Sequence, residues 1–376
     1  MSRGTQLARL PVSRFSVIGK PPETAVMRGL MPPLAFGATP SPAQAPLPLG
    51  DAQRVERLGF GTWAWGNKLL WDYDERNDAV LQAAFDRAVA PASLFDKRRF
   101  FFDTGDSYGT GALEGRAETL LGRFREESGR PERAVLGTKL AVYPTRWSGA
   151  SFERACRASL DRLGVEQIAL IQAHWSAANF QPWQEPALWD GLALCYEAGL
   201  AQACGTSNFG PEQLRKVNAY WTERGIPHAS NQFQFSLLST LPLESGLFDA
   251  CSELGVTPIG YSPLALGLLS GKYSVTTVPR GPRGILFRQI LPGLKPLLGT
   301  LKEIALTRGT SMSTIAINWC MCQGALVIVG VKTPAQAVAD NLAALEFQLS
   351  VPEVDELTAM AARVPRKATQ NIFQTS

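Results

Sequence analysis

From about residue 47 onward, short apolar runs alternate with longer stretches in which apolar residues recur at helical spacing. Eight of the short runs read as strands: Leu58 to Thr62, Arg99 to Asp103, Ala134 to Lys139, Ile168 to His174, Ala201 to Ser207, Ala229 to Gln234, Thr257 to Tyr261 and Ala325 to Val331. Phe100-Phe101-Phe102 cannot face water comfortably and marks a core strand. End signals place helices between the runs. Ser151 reads as the cap of the segment that follows it, and Pro211 suits the first turn of Pro211-Glu212-Gln213-Leu214. Leu49 to Val55 reads as a hairpin turn leading into the first core strand. Strand-helix alternation of this count implies an α/β chain folded as a (β/α)8 TIM barrel with an N-terminal hairpin, its chemistry at the C-terminal ends of the strands.

Three successive ends, the second to the fourth, carry ionisable groups. The second run stops at Asp103, with Tyr108 in the Gly-rich loop beyond it, the third stops at Lys139 and the fourth at His174. An Asp at a strand end is ordinarily a turn former, and a His on an apolar run is ordinarily a core residue with its hydrogen bonds made. Independent core residues have no reason to close three successive strands, so the four are taken as one set.

Composition bounds the rest. A chain of 376 residues, 45% hydrophobic, buries one core of barrel size and leaves room for extensions. Much of the formal charge of +4 comes from Arg3, Arg9, Arg14, Lys20 and Arg28, opposed in the first fifty residues only by Glu23. The remainder is near neutral, which leaves no nucleic-acid or membrane footprint. Six cysteines without a CxxC read as buried thiols in a reducing compartment, and with only His174 and His228 no zinc cluster is visible. Residues 1–46 are rich in Arg, Ser, Pro and Ala and poor in acid, the character of an organelle transit peptide with a linker, and residues 47–376 are expected to form the barrel domain. Ala43-Gln44-Ala45 would suit a second, secretory-type cleavage, but Pro32 and Pro33 interrupt the apolar part before it. No run reaches the ~20 apolar residues of a membrane helix. Gly59-Phe60-Gly61-Thr62-Trp63-Ala64 matches a dinucleotide fingerprint only in letters, because Trp65, Gly66 and Asn67 follow where a helix should begin. Gly267 to Tyr273 is misspaced for a phosphate loop and reads as the loop after the seventh strand.

The stretches Gly59 to Gly66, Phe102 to Gly111, Ala155 to Leu163, Leu286 to Gly293 and Gln370 to Thr375 resemble the aldo-keto reductases, and the likeness runs from about Leu58 to the C-terminus. It implies a (β/α)8 barrel that binds NADPH without a Rossmann domain and reduces an aldehyde. By matching position, Asp103, Tyr108, Lys139 and His174 resemble the catalytic tetrad. The chemistry requires these types. Hydride delivery to a carbonyl carbon leaves negative charge on oxygen, which needs a proton and hydrogen-bond donors. Tyr108 would supply the proton, Lys139 would lower the phenol's pKa, Asp103 would hold Lys139, and His174 would orient the carbonyl oxygen.

The same resemblance implies cofactor contacts at Gly61 and Thr62, a carboxamide clamp at Ser207, Asn208 and Gln232, and a ring-stacking Tyr261. Ser262, Leu264, Gly267, Leu269 and Lys272 would line the diphosphate path, with Arg280, Arg283 and Arg288 also near the phosphates. Gly330, Lys332 and Gln336 would meet the ribose phosphate, and Asn341 the adenine. Between Gly330 and Asn341 the chain is a residue longer than the usual family spacing. Trp63, Trp65 and Trp175 are the expected substrate-pocket aromatics, with the stretch from Lys272 to Gln289 as a rim segment. The substrate implied is pyridoxal, reduced to pyridoxine, in the plastid stroma, with a monomer favoured. The alternatives are broad-specificity aldehyde reduction and a non-catalytic NADPH-binding regulatory subunit.

Overall fold

The structure is a computed structural model that describes residues 45–91, 93, 96–331, 338, 341–365 and 374–375. Residues 1–44, Lys332, Gln336 and the Gln370 to Phe373 stretch lie outside the described residues.

A two-stranded antiparallel hairpin, β1 (Leu47–Leu49) and β2 (Gln53–Val55), precedes a closed parallel barrel. The barrel strands are β3 (Leu58–Gly61), β4 (Phe100–Asp103), β5 (Ala134–Leu140), β6 (Leu170–Ala173), β7 (Cys204–Ser207), β8 (His228–Gln234), β9 (Thr257–Tyr261) and β10 (Leu326–Gly330). β10 closes the ring on β3, with Val329 opposite Phe60. Six strands lie within their expected runs, while β5 runs one residue further, to Leu140, and β8 begins one residue earlier, at His228. The helices are α1 (Lys68–Trp71), α2 (Asp78–Val89), α3 (Arg116–Glu127), α4 (Gly149–Leu163), α5 (Glu185–Glu197), α6 (Pro211–Glu223), α7 (Leu241–Glu244), α8 (Leu247–Leu254), α9 (Pro282–Thr307), α10 (Met312–Cys322) and α11 (Val351–Ala362).

Strand alternation sorts the apolar residues into two layers. Phe100 and Phe102 point outward, where the Phe102 ring lies 4.7 Å from that of Phe85 on α2. Phe101 points inward and packs with Val135, Leu170, Ile259 and Leu326. Gly137 makes this possible, because a Cβ there would stand 2.4 Å from Phe101 Cε2. The hairpin plugs one end of the barrel through Leu49 and Val55. Its turn residue Gly50, at φ +65°, lies so close to Ala203 that a Cβ would meet that methyl at 2.8 Å.

Two local readings change. Ser151 is not the cap of α4: Ser148 holds that place, and the Ser151 hydroxyl sits a turn inside, 2.6 Å from Ser148 O. The rim segment from Lys272 to Gln289 becomes helical at Pro282, and α9 continues for 26 residues with Pro292 and Pro296 inside it. An internal proline costs ~3 kcal/mol or more of helix stability. Burial of Phe287, Ile290, Leu291, Leu294 and Leu297, on a helix packed against α10, α11 and the turn after β9, offsets that cost. Pro211 does open α6, as expected.

Candidate active site

The alternation that turns Phe101 inward also turns Asp103 inward two residues later, at the strand's C-terminal end. On β5 the inward set is Val135, Gly137 and Lys139, and along β6 it is Leu170, Gln172 and then His174, just past the strand. Neighbouring strands therefore raise Asp103, Lys139 and His174 to one mouth of the barrel. Lys139 Nζ donates to Asp103 Oδ1 at 2.5 Å and to Thr104 O at 2.7 Å, and Gln232 Nε2 donates to the same carboxylate oxygen at 2.8 Å. Lys139 and Asp103 are buried. Tyr108 comes from the β4 loop, which turns through Tyr108 N–H to Gly105 O at 3.0 Å. Its ring lies 5.0 Å from Lys139 Nζ and 5.5 Å, edge-on, from the His174 ring. Tyr108 and His174 are half-buried.

Burial pushes the Tyr108 phenol well above its ordinary pKa, and the Asp103 charge adds to the rise. The expectation that Lys139 lowers it is not met, because burial and the neighbouring acidic groups set the opposite direction. Tyr108 thus enters any reaction as a neutral O–H donor. Burial also lowers Lys139, against the opposing pull of Asp103. His174 is held well below its usual range by burial and then by Lys139, so the imidazole is neutral. A neutral ring has one N–H. Ser107 Oγ lies 3.3 Å from His174 Nδ1, and a hydroxyl that donates there leaves the ring proton on Nε2.

Ser107 was not singled out from the sequence, and neither were Asp106 and Arg146. Asp106 accepts from Arg146 at 2.5 Å and from Ala141 N–H at 3.0 Å, tying the Tyr108 loop to the end of β5. Asp106 and Ser107 were visible as polar residues beside Tyr108. Arg146, 40 positions away from Asp106, was not.

Asn208 follows β7 in the left-handed region at φ +63°. Its Nδ2 donates to His174 O at 3.3 Å and to Ser207 Oγ at 3.2 Å, while its Oδ1 accepts from Tyr261 O–H at 2.9 Å. Ser207, Asn208, Gln232 and Tyr261 thus form one patch with the tetrad. The loop after β9 holds Ser262, Ala265 and Leu266 at positive φ before Gly267 at +104°. Three non-glycine residues in that region within so short a loop mark a shape maintained against strain. The N–H groups of Gly267 and Leu269 both bond Leu264 O, so these two offer shape and not donors. Leu269 is buried, and Lys272 is exposed with Nζ over the Tyr273 ring. Gly61 and Gly330 end β3 and β10. Nothing lies within 4 Å of where a Cβ on Gly330 would stand. Thr62 is buried, its N–H and hydroxyl both on Asp103 O. Asn341 is half-buried. Arg283 is drawn to the mouth for another reason: its guanidinium lies 4.5 Å from the Trp71 ring and donates to Leu266 O.

Among the expected pocket aromatics, Trp63 is half-buried and edge-on to Trp71, and Trp175 lies beside the His174 ring at 4.9 Å. Trp65 is a correction. It is fully buried, its indole N–H donates to Val331 O at 2.6 Å, and it packs on Phe124 of α3, so it belongs to the layer outside the strands. His228 is likewise structural, held by Thr206 and Asn218, and burial lowers it to about 3. A hollow of about 390 Å³ beside the hairpin, lined in part by Arg54, Glu56 and Arg99, contains none of the tetrad.

This barrel and this cluster belong to a known class. The profile of the Aldo/keto reductase family matches residues 57–362, and the chain is a member of that family. Within it, the chain is 50% identical over 325 residues to "Pyridoxal reductase, chloroplastic" of Arabidopsis thaliana, across 85% of this chain and 87% of that protein. It is 29% identical to L-glyceraldehyde 3-phosphate reductase of Escherichia coli K12, over 78% of this chain and 84% of the relative. Two solved folds agree. A thermostable aldo-keto reductase crystallised with the inhibitor epalrestat matches at TM-score 0.64 and 23% identity, over 84% of this chain and 99% of its own. An aldo-keto reductase complexed with NADPH matches at 0.63 and 22%, over 87% and 89%.

Proposed function

We propose that this chain is an NADPH-dependent reductase that converts pyridoxal to pyridoxine. The convergence of Asp103, Tyr108, Lys139 and His174 on one mouth, with Lys139 Nζ 2.5 Å from Asp103 and both rings beside it, carries the reading. The 50% identity to a pyridoxal reductase supports the substrate.

NADPH, when bound, supplies a hydride to the carbonyl carbon. Its binding groups fit the mouth: the Ser207, Asn208 and Gln232 patch offers amide and hydroxyl groups for a carboxamide, Tyr261 offers a ring, and the strained loop from Ser262 to Gly267 makes a concave backbone for the diphosphate. Gln232 has committed its Nε2 to Asp103, which leaves its oxygen as acceptor and couples the cofactor patch to the tetrad. Tyr108 donates its proton to the carbonyl oxygen as charge develops there. His174, neutral and protonated at Nε2, donates a second hydrogen bond that orients the substrate. Lys139 keeps a positive charge beside the phenol ring, and Asp103 makes that charge tolerable in a buried place. Lys332, Gln336 and Asn341 are assigned to the adenosine end. Residues 1–46 are assigned as a plastid transit segment, in keeping with the chloroplastic relative.

The aldehyde is set by the rim, where Trp63 and Trp175 present flat rings to a pyridine. A panel of pyridoxal, pyridoxal phosphate and benzaldehyde, followed by NADPH absorbance, tests this. Pyridoxal should exceed its phosphate ester by at least ~10-fold in kcat/KM, a gap of ~1.4 kcal/mol. A preference for the ester, or parity with benzaldehyde, removes pyridoxal while leaving aldehyde reduction. No turnover of any aldehyde leaves only cofactor binding.

A further inference from the structure

We infer that Thr375, the penultimate residue, is a positioning residue for cofactor binding, because it clamps the loop that carries Asn208. The inference rests on the assignment of Asn208 to the nicotinamide carboxamide.

Asn208 sits at φ +63°, in the left-handed region that asparagine enters more readily than other non-glycine residues, and contacts from separate elements hold it there. Besides the adjacent Ser207 hydroxyl, four contacts hold it. Its N–H donates to Gln232 O at 2.7 Å, its amide nitrogen reaches His174 O, and its amide oxygen accepts from Tyr261. These three come from the ends of neighbouring barrel strands. The fourth does not: Asn208 O accepts from Thr375 N–H at 3.2 Å.

Thr375 makes a second bond to the same loop. Its Oγ1 accepts from the N–H of Gly210, the N-cap of α6, at 3.0 Å and across 165 positions of chain. Gly210 has no side chain to satisfy groups at that helix start, and α6 shows no side-chain cap bond. The preceding residue extends the clamp to the neighbouring loop, where Asn179 Nδ2 donates to Gln374 O at 3.0 Å. The loop after β6 carries His174 and Trp175, and the loop after β7 carries Asn208. The end of the chain therefore ties together the two loops on either side of the carboxamide patch. Thr375 is buried while doing this, at 8% exposure, with both its N–H and its hydroxyl bonded to the Asn208 loop. Ordering the loop before the cofactor arrives removes that entropic cost from binding.

The test compares Thr375→Val, which keeps the backbone N–H but loses the Gly210 bond, with Thr375→Ser and with deletion of residues 374–376. NADPH affinity is read by fluorescence titration, and amide hydrogen exchange of the apoprotein is read over residues 208–210. Loss of one neutral hydrogen bond predicts a Kd for NADPH raised about fivefold in Thr375→Val. Thr375→Ser should stay within about twofold of wild type, and the deletion should exceed Thr375→Val, its lost N–H adding to the lost hydroxyl. Exchange at 208–210 should quicken in the same order, while the aldehyde KM at saturating NADPH stays put. Unchanged NADPH affinity in both Thr375→Val and the deletion, with Asn208→Ala weakened, overturns the inference and spares the Asn208 assignment. Asn208→Ala without effect on NADPH overturns both. A raised aldehyde KM with NADPH untouched would place the tail's action on the substrate and refute the inference as well.

Discussion

Asp103→Asn isolates the charge of the tetrad's anchor. Asparagine keeps an oxygen for Lys139 Nζ and Gln232 Nε2, so shape and hydrogen bonds persist while the negative charge beside a buried ammonium disappears. Removing one partner of a buried pair costs ~3–5 kcal/mol. The chain has one escape, which is to release the Lys139 proton. Burial already lowers that pKa in the wild type, and losing Asp103 lowers it further. Escape has its own cost: neutralising a lysine with an unfolded pKa of ~10.4 takes ~4.6 kcal/mol at pH 7 but only ~1.9 at pH 9, at ~1.36 kcal/mol per unit. The sign follows from proton counting. With the folded pKa depressed, the unfolded chain binds more protons between the two pKa values, so stability rises with pH across that window. The deficit of Asp103→Asn relative to wild type should therefore be ~3–4 kcal/mol at pH 7 and fall below ~2 kcal/mol by pH 9. Glu118 and Asp106 also face Lys139 and set the lower part of that range. Urea denaturation of both proteins at the two pH values measures it. Asp103→Asn/Lys139→Met, with neither charge, should recover much of the loss at pH 7. A deficit that is constant or grows toward pH 9 would refute the electrostatic account.

Tyr108→Phe should lower kcat by ~10²- to 10⁴-fold and leave NADPH affinity, by fluorescence titration, within about twofold because no cofactor contact is assigned to its hydroxyl; retention of a third of wild-type turnover with chemistry rate-limiting removes Tyr108 as the acid. Ser107→Ala frees the His174 tautomer and should lower kcat by about 5- to 10-fold, the worth of one neutral hydrogen bond or slightly more, without loss of thermal stability; an unchanged kcat dismisses its role. Trp63→Ala should raise the pyridoxal KM while stability changes little. Trp65→Phe should do the reverse, costing ~1–3 kcal/mol in urea through the N–H it withdraws from Val331 O and leaving KM unmoved.

What the sequence determined by itself was the periodicity, and through it most of the architecture. Eight apolar runs separated by helical stretches imply a parallel barrel, and alternation along Phe101 to Asp103, Val135 to Lys139 and Leu170 to His174 turns those three ends inward together. Short-range pattern and strand geometry decide such matters. The tertiary structure decided what depends on distance through space. Trp63 and Trp65 differ by two positions and look alike in the string, yet one is half-buried at the mouth and the other is locked to Val331, 266 positions on. Pro292 and Pro296 each forfeit a hydrogen bond inside α9, and only packing against α10, α11 and the turn after β9 makes that helix worth the loss. The Tyr108 phenol was expected to move down and moves up, because burial, which only packing decides, disfavours its charged form and the Asp103 charge adds to the rise. Arg146 meets Asp106, and Thr375 meets Asn208, through contacts that no local period encodes, since each is fixed only when the barrel closes and brings loops from separate strands to one rim.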